Sequence, residues 1–335
     1  MAQTSADQEL SPSSSTSSAD TDSSSPANIF ESAEVRKLLC GKHLVIIGDS
    51  IQRGVYKDLV CLLQSDRLLV NDPTELGNKG EPEFMGDRLI FRSEKNNGTE
   101  FVEVREYQSD DHLVQFHFVT RCYNERVEDI LSSFQNEMPD FVVMNSCMWD
   151  ISRYGDNSEQ EYIINMGKLL QRLRQVLHPN CQFIWTTTLP VASQIAPNVF
   201  LSEDASFLGS TLRVAIMEYN YKAAQLVSEF GFDVLDLHFY IRCMLERRMK
   251  DGVHWDEVAH RHVTNLILTF YCDSNHIPLP RPVRDILRVH YRKDDIPLKH
   301  LQYKELPDFA ARKMKQLEKI ASRLNVTSMK PRKTA

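Results

Sequence analysis

The sequence lacks the segments that would place it in or across a membrane. It contains no uninterrupted apolar run of about 18 residues, which is the length that a transmembrane helix needs. Its start, MAQTSADQEL, has neither a basic segment nor an apolar stretch, so we expect no cleaved secretory signal. We therefore predict a protein without a transmembrane segment.

The sequence also has few of the patterns that build disulfide or metal sites. Its seven cysteines are odd in number, none is spaced as CxxC, and neither HExxH nor a Cys/His cluster occurs. Disulfide frameworks and structural zinc sites depend on such spacings. We expect no metal, no cofactor and a reducing compartment, which is the cytoplasm with the nucleus as an alternative.

Charge is distributed unevenly along the 335 residues. The formal net charge is -7, yet residues 1–35 hold six acids and no Lys or Arg, and residues 311–335 hold eight bases and one acid. The part between them is mildly acidic, which argues against dedicated nucleic-acid binding. The basic C-terminal tail is suited to contact an acidic partner.

Composition divides the chain into three parts. Ten serines and almost no large apolar residues occur in 1–26, and such a segment cannot offset its ordering entropy by burial. We predict a disordered acidic tail over 1–35 and a folded domain over 36–275. A Pro-Leu-Pro-Arg-Pro break then introduces a basic, partly helical extension over 276–335.

Strand and helix patterns alternate through the predicted domain. Apolar runs at 43–47 and 141–144 are typical of buried strands, whereas 101–107 and 113–119 alternate with period two and predict strands with one wet face. Helices are predicted at 124–137, 159–177 and 210–230, and 71–98 is interpreted as an irregular insertion. This alternation favours a mainly parallel sheet covered on both faces.

A serine follows the first predicted strand. Gly48-Asp49-Ser50 stands directly before a predicted helix, where unpaired backbone N–H groups and the helix dipole favour an anion. An ester-cleaving nucleophile gains there because its tetrahedral intermediate is an oxyanion. The alternative is that Ser50 is simply the N-cap of the helix.

A histidine precedes the last predicted helix. Asp251 lies three residues before His254, so its carboxylate can accept the Nδ1 proton and leave Nε2 to take a proton from a serine. The alternative is a surface loop in which Asp251 caps the helix. Together with the Gly-Asp-Ser motif, this pair indicates a serine hydrolase far more specifically than either does alone.

The two motifs together resemble those of the SGNH (GDSL-type) hydrolase superfamily. Three segments are similar, more closely, to the PC-esterase domain-containing proteins, relatives of plant polysaccharide O-acetyltransferases: 48–53 (GDSIQR), 145–155 (NSCMWDISRYG) and 251–256 (DGVHWD). The resemblance extends over about 36–273. It implies a flavodoxin-like three-layer α/β/α sandwich with a mainly parallel central sheet, which agrees with the alternation above.

The resemblance also implies site residues. Ser50 would be the nucleophile, His254 the general base and Asp251 the group that orients it. In the acyltransferase relatives an Arg three residues after the serine donates to the oxyanion, and Arg53 occupies that position. The alternative for Arg53 is a solvent-facing side chain. If Arg53 is an oxyanion donor, we expect Arg53→Ala to lower turnover and to leave folding nearly intact. Asn145 is either a second donor or a residue that pins its loop.

The loop after the second core strand departs from ordinary SGNH enzymes. Those enzymes place a Gly there and a Gly-x-Asn-Asp block after the third strand, and both contribute oxyanion donors. Here residues 120–123 read Thr-Arg-Cys-Tyr and residues 145–150 read Asn-Ser-Cys-Met-Trp-Asp. The usual oxyanion hole is therefore incomplete.

Three functions remain open from the sequence. The first is an esterase that cleaves an acyl-ester small molecule or an acylated glycan through an acyl-Ser50 intermediate. The second is an O-acyltransferase in which a hydroxyl replaces water. The third is a catalytically inactive binding domain, which the retained Ser, Asp and His argue against.

Overall fold

The computed structural model describes residues 29–69, 81–94, 98–146, 148–155, 157–195 and 211–280. The helices in these ranges are α1 (Ser32–Leu38), α2 (Ser50–Gln64), α3 (Glu125–Ser133), α4 (Met148–Arg153), α5 (Ser158–Val176), α6 (Leu212–Glu229), α7 (Leu237–Ile241) and α8 (Glu257–Ser274). The strands are β1 (Lys42–Gly48), β2 (Arg88–Arg92), β3 (Glu103–Gln108), β4 (His112–Phe118), β5 (Phe141–Met144), β6 (Gln182–Thr186) and β7 (Asp233–Leu235).

The strands form one sheet of seven, in the order β2-β3-β4-β1-β5-β6-β7. From β4 to β7 all neighbours are parallel. These five strands have the doubly wound order 2-1-3-4-5 of flavodoxin-like folds. The predicted α/β fold class, with a mainly parallel central sheet, is confirmed.

The far end of the sheet is antiparallel. Strand β3 pairs antiparallel with both β2 and β4. For β3 and β4 the reason is the length of the connection: three residues suffice for a hairpin, whereas a parallel pair needs a crossover of a dozen or more residues. The prediction of an irregular insertion at 71–98 is wrong for 88–92, which form β2. Residues 70–80 and 95–97 lie outside the described ranges.

The helices form two groups, and the helices of each group pack against one another. Helix α2 packs with α1 and α8, while α5 packs with α3, α4 and α6. Right-handed crossovers from a central β1 place helices on opposite faces of the sheet. Every residue from Ile51 to Leu63 in α2 is buried, so this helix lies inside the domain, and the sheet lies between two helical layers.

The described domain begins before its predicted boundary at residue 36. Ile29 and Phe30 are buried, and α1 starts at Ser32 with a capping box formed by Glu31 and Glu34. The predicted tail therefore ends earlier than residue 35. Residues 1–28 and 281–335, which include most of the predicted extension, lie outside the described part of the chain.

Candidate active site

Ser50 is the first residue of α2, and only Asp49 separates it from the last residue of β1. Asp49 is the N-cap of this helix, and its Oδ1 accepts the backbone N–H of Ile51 at 2.8 Å. Burial raises the pKa of the Asp49 carboxyl, although these hydrogen bonds act in the opposite direction. Because Asp49 caps the helix, the alternative that Ser50 is only an N-cap is wrong, and the Ser50 hydroxyl points elsewhere.

Gly48 makes the tight connection from β1 into α2. A Cβ on Gly48 would lie 2.9 Å from Cβ of Gln52 and 3.0 Å from the carbonyl oxygen of Asn145. Such distances are shorter than carbon contacts tolerate. The glycine of the Gly-Asp-Ser motif is therefore required by the close approach of two neighbouring chain segments.

The Ser50 hydroxyl contacts the predicted base. Its Oγ lies 2.8 Å from Nε2 of His254, and Nδ1 of the same ring lies 2.7 Å from Oδ2 of Asp251. The other carboxylate oxygen, Oδ1, accepts the backbone N–H groups of Val253 and His254 at 2.8 and 2.9 Å. The structure thus brings all three predicted residues into one continuous chain of hydrogen bonds.

Asp251 is held in its ionised form. Burial by itself would raise its pKa, but the hydrogen bonds from the His254 ring and from the two backbone amides outweigh burial and lower the pKa to about 2. An ionised carboxylate at Nδ1 favours the tautomer with the proton on that nitrogen. Asp256 is the residue that caps α8, by accepting the N–H of Ala259 at 3.0 Å, so the capping alternative for Asp251 is wrong.

Arg53 lies inside the protein. Its side chain is 5% exposed, and Nη1 donates to Oε2 of Glu103, itself fully buried, at 3.0 Å. The guanidinium carbon also lies 5.7 Å from the centre of the Phe118 ring. The alternative of a solvent-facing Arg53 is wrong. A buried ion pair also argues against the expectation that replacing Arg53 leaves folding nearly intact.

A buried network of charges surrounds this pair. Arg105 donates from Nε to Asp87 at 3.1 Å, lies 3.7 Å from Glu103, and reaches Glu81 with Nη2 at 3.2 Å. Lys57, one turn beyond Arg53 on α2, pairs with Glu81 as well. With Arg53 included, three positive and three negative side chains are matched, as burial of charge requires.

Sequence reasoning missed this network because it assigned a wet face to β3. Glu103 and Arg105 both point inward and are fully buried. The alternation of 101–107 gives the period of the strand, but it cannot show that loops and helices cover the polar face too. The sequence did contain one indication of this charge network. Arg53 and Lys57 are four residues apart, so their positive charges lie on the same face of α2.

Asn145 pins the neighbouring loop. Its two amide protons are directed to the carbonyl oxygen of Thr186 at 2.7 Å and to Oγ1 of Thr188 at 3.2 Å. An amide nitrogen has two protons to donate, so this geometry uses both. Of the two alternatives from the sequence, the structure favours the pinning residue over the oxyanion donor.

The loop after β4 is fastened by a carboxylate that the sequence did not single out. Asp150 accepts the N–H of Cys122 at 3.0 Å and the hydroxyl of Ser146. Complete burial raises the pKa of Asp150 to about 6, against the effect of these hydrogen bonds. The segment that carries an oxyanion glycine in ordinary SGNH enzymes is therefore tied through Asp150 to α4, the helix that follows β5.

The described residues contain neither a membrane-spanning helix nor a cluster of metal ligands. None of the described helices is both long and apolar enough to cross a membrane. Within the same ranges, no group of three or more His, Cys, Asp or Glu side chains could hold a metal ion.

Known proteins similar to this chain include two curated human relatives. PC-esterase domain-containing protein 1A of Homo sapiens is 43% identical over 258 residues, which cover 75% of this chain and 56% of that protein. PC-esterase domain-containing protein 1B of Homo sapiens is 42% identical over 261 residues, covering 75% and 59%. The chain thus spans somewhat more than half the length of these relatives.

The other comparisons concern family models and solved structures. A solved structure of a peptidoglycan O-acetylesterase is similar with a TM-score of 0.47 at 9% identity, over 76% of this chain and 97% of that chain. No protein-family model matches this chain.

The doubly wound sheet, with Ser50 and His254 in contact beyond the carboxyl end of β1, defines an α/β protein with a flavodoxin-like fold. Over about three quarters of its length, the chain is similar to the PC-esterase domain-containing proteins. The resemblance of the three sequence motifs to that family is confirmed.

Proposed function

We propose that the protein is a serine esterase that cleaves a carboxylic ester through an acyl-Ser50 intermediate. The observation that carries the proposal is the pair of contacts from Ser50 Oγ to His254 Nε2, 2.8 Å, and from His254 Nδ1 to Asp251, 2.7 Å. A nucleophile, a base within hydrogen-bond reach and a third group that orients the base are the requirements for an activated serine. The substrate is an acyl ester of a small molecule or of a glycan.

The reaction proceeds in two halves. Ser50 Oγ attacks the ester carbonyl carbon while its proton passes to His254 Nε2, and Asp251 stabilises the resulting imidazolium. The tetrahedral intermediate collapses when His254 returns the proton to the leaving alcohol, which leaves the acyl group on Ser50. Water then gives a proton to His254 and attacks the acyl carbonyl. The second tetrahedral intermediate collapses as His254 returns this proton to Ser50 Oγ, and the carboxylic acid departs.

Two donors would stabilise the oxyanion. The backbone N–H of Ser50 belongs to the first turn of α2, where amides have no carbonyl partner within the helix. Arg53 lies one turn further along the same helix, and Glu103 fixes one of its nitrogens. The guanidinium has further N–H groups in a rigid fork, which makes it suitable as the second donor.

Replacing Arg53 by lysine tests the donor role. A lysine keeps a positive charge beside Glu103 but loses the planar fork. Losing one oxyanion donor costs about 10²–10³ in turnover. Arg53→Lys should therefore lose turnover to that extent while keeping most of its resistance to urea, whereas unchanged turnover would remove Arg53 from the oxyanion site.

Covalent labelling tests the proposed activity as a whole. A fluorophosphonate probe should label the wild-type protein at Ser50, and Ser50→Ala should abolish the label. Ser228→Ala, which alters an exposed serine of α6, is the matched control and should leave labelling unchanged. A folded wild type that neither reacts with the probe nor hydrolyses activated esters would favour the binding domain, and acyl transfer to an added hydroxyl acceptor in preference to water would favour the transferase.

A further inference from the structure

One face of α2 meets the segment that carries the base and the helix that follows it. Ser50, Gly54 and Asp58 are spaced by four residues and so share this face. Ser50 contacts His254, and the N–H at Nε of Arg261 is shared between the two carboxylate oxygens of Asp58, at 3.1 and 3.0 Å. Gly54 lies between these two contacts.

Gly54 allows α8 to approach α2 more closely than any other residue would. A Cβ at this position would lie 2.6 Å from Nε2 and 2.7 Å from Nδ1 of His260. The His260 ring is 3% exposed, so it has no open space into which it could turn. Burial, with a smaller effect of His254, lowers the pKa of His260 to about 3, so the ring against Gly54 is uncharged.

The two helices carry the reacting groups at adjacent ends. Ser50 is the first residue of α2, and His254 lies two residues before Asp256, the N-cap of α8. A displacement between the helices at Gly54, one turn from Ser50, is therefore passed directly to the distance between Ser50 Oγ and His254 Nε2. To reach a normal contact distance of about 3.5 Å, a methyl group at Gly54 would have to separate the helices by roughly 1 Å.

We propose that Gly54 and His260 are positioning residues that set the distance between the nucleophile and the base. This inference rests on the proposed esterase function. The contact acts as a spacer: the bare backbone of Gly54 on one side and the buried ring of His260 on the other fix how far α8 stands from α2. The buried pair of Asp58 and Arg261 holds the same two helices together one turn further on.

Four proteins test the proposal: wild type, Gly54→Ala, His260→Ala and the double variant Gly54→Ala/His260→Ala. A misplacement of 1 Å can cost about 10²-fold in rate, so Gly54→Ala should lower kcat for a small activated ester by about that factor with little change in KM. Alanine favours helices more than glycine does, so the loss would come from the contact with His260. Removing the His260 ring makes room for the new methyl group, and the double variant should recover most of the lost rate.

A matched control separates this contact from a general effect of glycine replacement. Gly167 lies in α5, and a Cβ there would meet nothing within 4 Å. Gly167→Ala should therefore leave kcat, KM and the rate of fluorophosphonate labelling unchanged.

The outcomes distinguish this inference from the esterase proposal. An active wild type with an equally active Gly54→Ala, or a folded double variant no faster than Gly54→Ala, would overturn the spacer. If Gly54→Ala fails to fold, a folded and active double variant supports the spacer, and a double variant that also fails overturns it.

The NMR resonance of the His254 Nδ1 proton gives a readout without turnover. An inert wild type whose resonance still moves in Gly54→Ala and returns in the double variant would defeat the esterase proposal and support the spacer.

Discussion

Removing the Arg53 side chain should strongly destabilise the folded protein. Arg53→Ala leaves the carboxylate of Glu103 buried without its nearest counter-charge, and both side chains are almost inaccessible to water, at 5% and 0% exposure. Water cannot replace the lost guanidinium at such a depth. The unpaired charge therefore raises the free energy of the folded state far more than that of the unfolded state, in which Glu103 is hydrated.

The size of the effect follows from the surroundings of Glu103. Breaking a buried ion pair by removing one partner costs about 3–5 kcal/mol. Arg105 Nε, 3.7 Å from the other carboxylate oxygen of Glu103, partly compensates the charge, so we expect the lower end, about 3 kcal/mol. For a domain of this size that loss corresponds to a decrease in Tm of about 6–12 °C.

Urea and thermal unfolding, followed by circular dichroism, measure this difference. Arg88→Ala is the matched control, because Arg88 also pairs with a glutamate, Glu106, but is 67% exposed. Exposed pairs contribute only about 0–1 kcal/mol, so the control should unfold almost like the wild type. If Arg53→Ala and Arg88→Ala lost the same small amount of stability, the Arg53 pair would not be the buried, matched pair described above. The double variant Arg53→Met/Glu103→Leu should recover much of the loss, since it leaves no unpaired charge at that pair.

Further predictions concern the hydrogen-bonded chain at Ser50 and the loop beside it. Ser50→Ala and His254→Ala should each abolish hydrolysis of an activated ester, and the double variant should be no worse, because such residues act as a unit; additive losses in steady-state rates would contradict this. Asp251 has a pKa of about 2 in the folded protein and an ordinary value of 3.8. It therefore stabilises the fold above pH 3.8 and loses this contribution as the pH falls through 2. In acid unfolding the stability gap between wild type and Asp251→Asn should shrink over that interval, and a constant gap would argue against it. Asn145→Ala should lower the free energy of unfolding by about 1–3 kcal/mol, because the buried carbonyl of Thr186 loses its donor. A fall in turnover of about 10²–10³ without lost stability would instead return Asn145 to the oxyanion site.

The core strands β1 and β5 were predictable because a strand that is buried on both faces leaves a continuous apolar run in the sequence. Val45 and Val143 lie on paired central strands, in which every residue except Lys42 is buried. The Gly-Asp-Ser and Asp-x-x-His motifs then predicted that Ser50 and His254 lie close together, because an activated serine needs a base within hydrogen-bond reach. The local motif thus predicted a long-range contact.

Burial of charge was not predictable in the same way. Glu103 and Arg105 alternate along β3 like the polar face of any exposed strand, and only the three-dimensional arrangement supplies them with Arg53 and Asp87 as partners. The early start of the domain was missed for a related reason. Ile29 and Phe30 are two apolar residues beside a serine-rich segment, and their burial depends on surfaces that come from elsewhere in the chain.

The contact between Ser50 and His254 also has a consequence for how the protein matures. It joins residues 204 positions apart, and contacts of such long separation form late because the entropy of loop closure opposes them. On the ribosome, where N-terminal parts fold first, β1 and the start of α2 are made long before the chain reaches His254. The serine therefore remains without its base until α8 docks. After dilution from denaturant, recovery of reactivity with the fluorophosphonate probe should lag behind recovery of helical circular dichroism, so that reactivity reports completion of the fold.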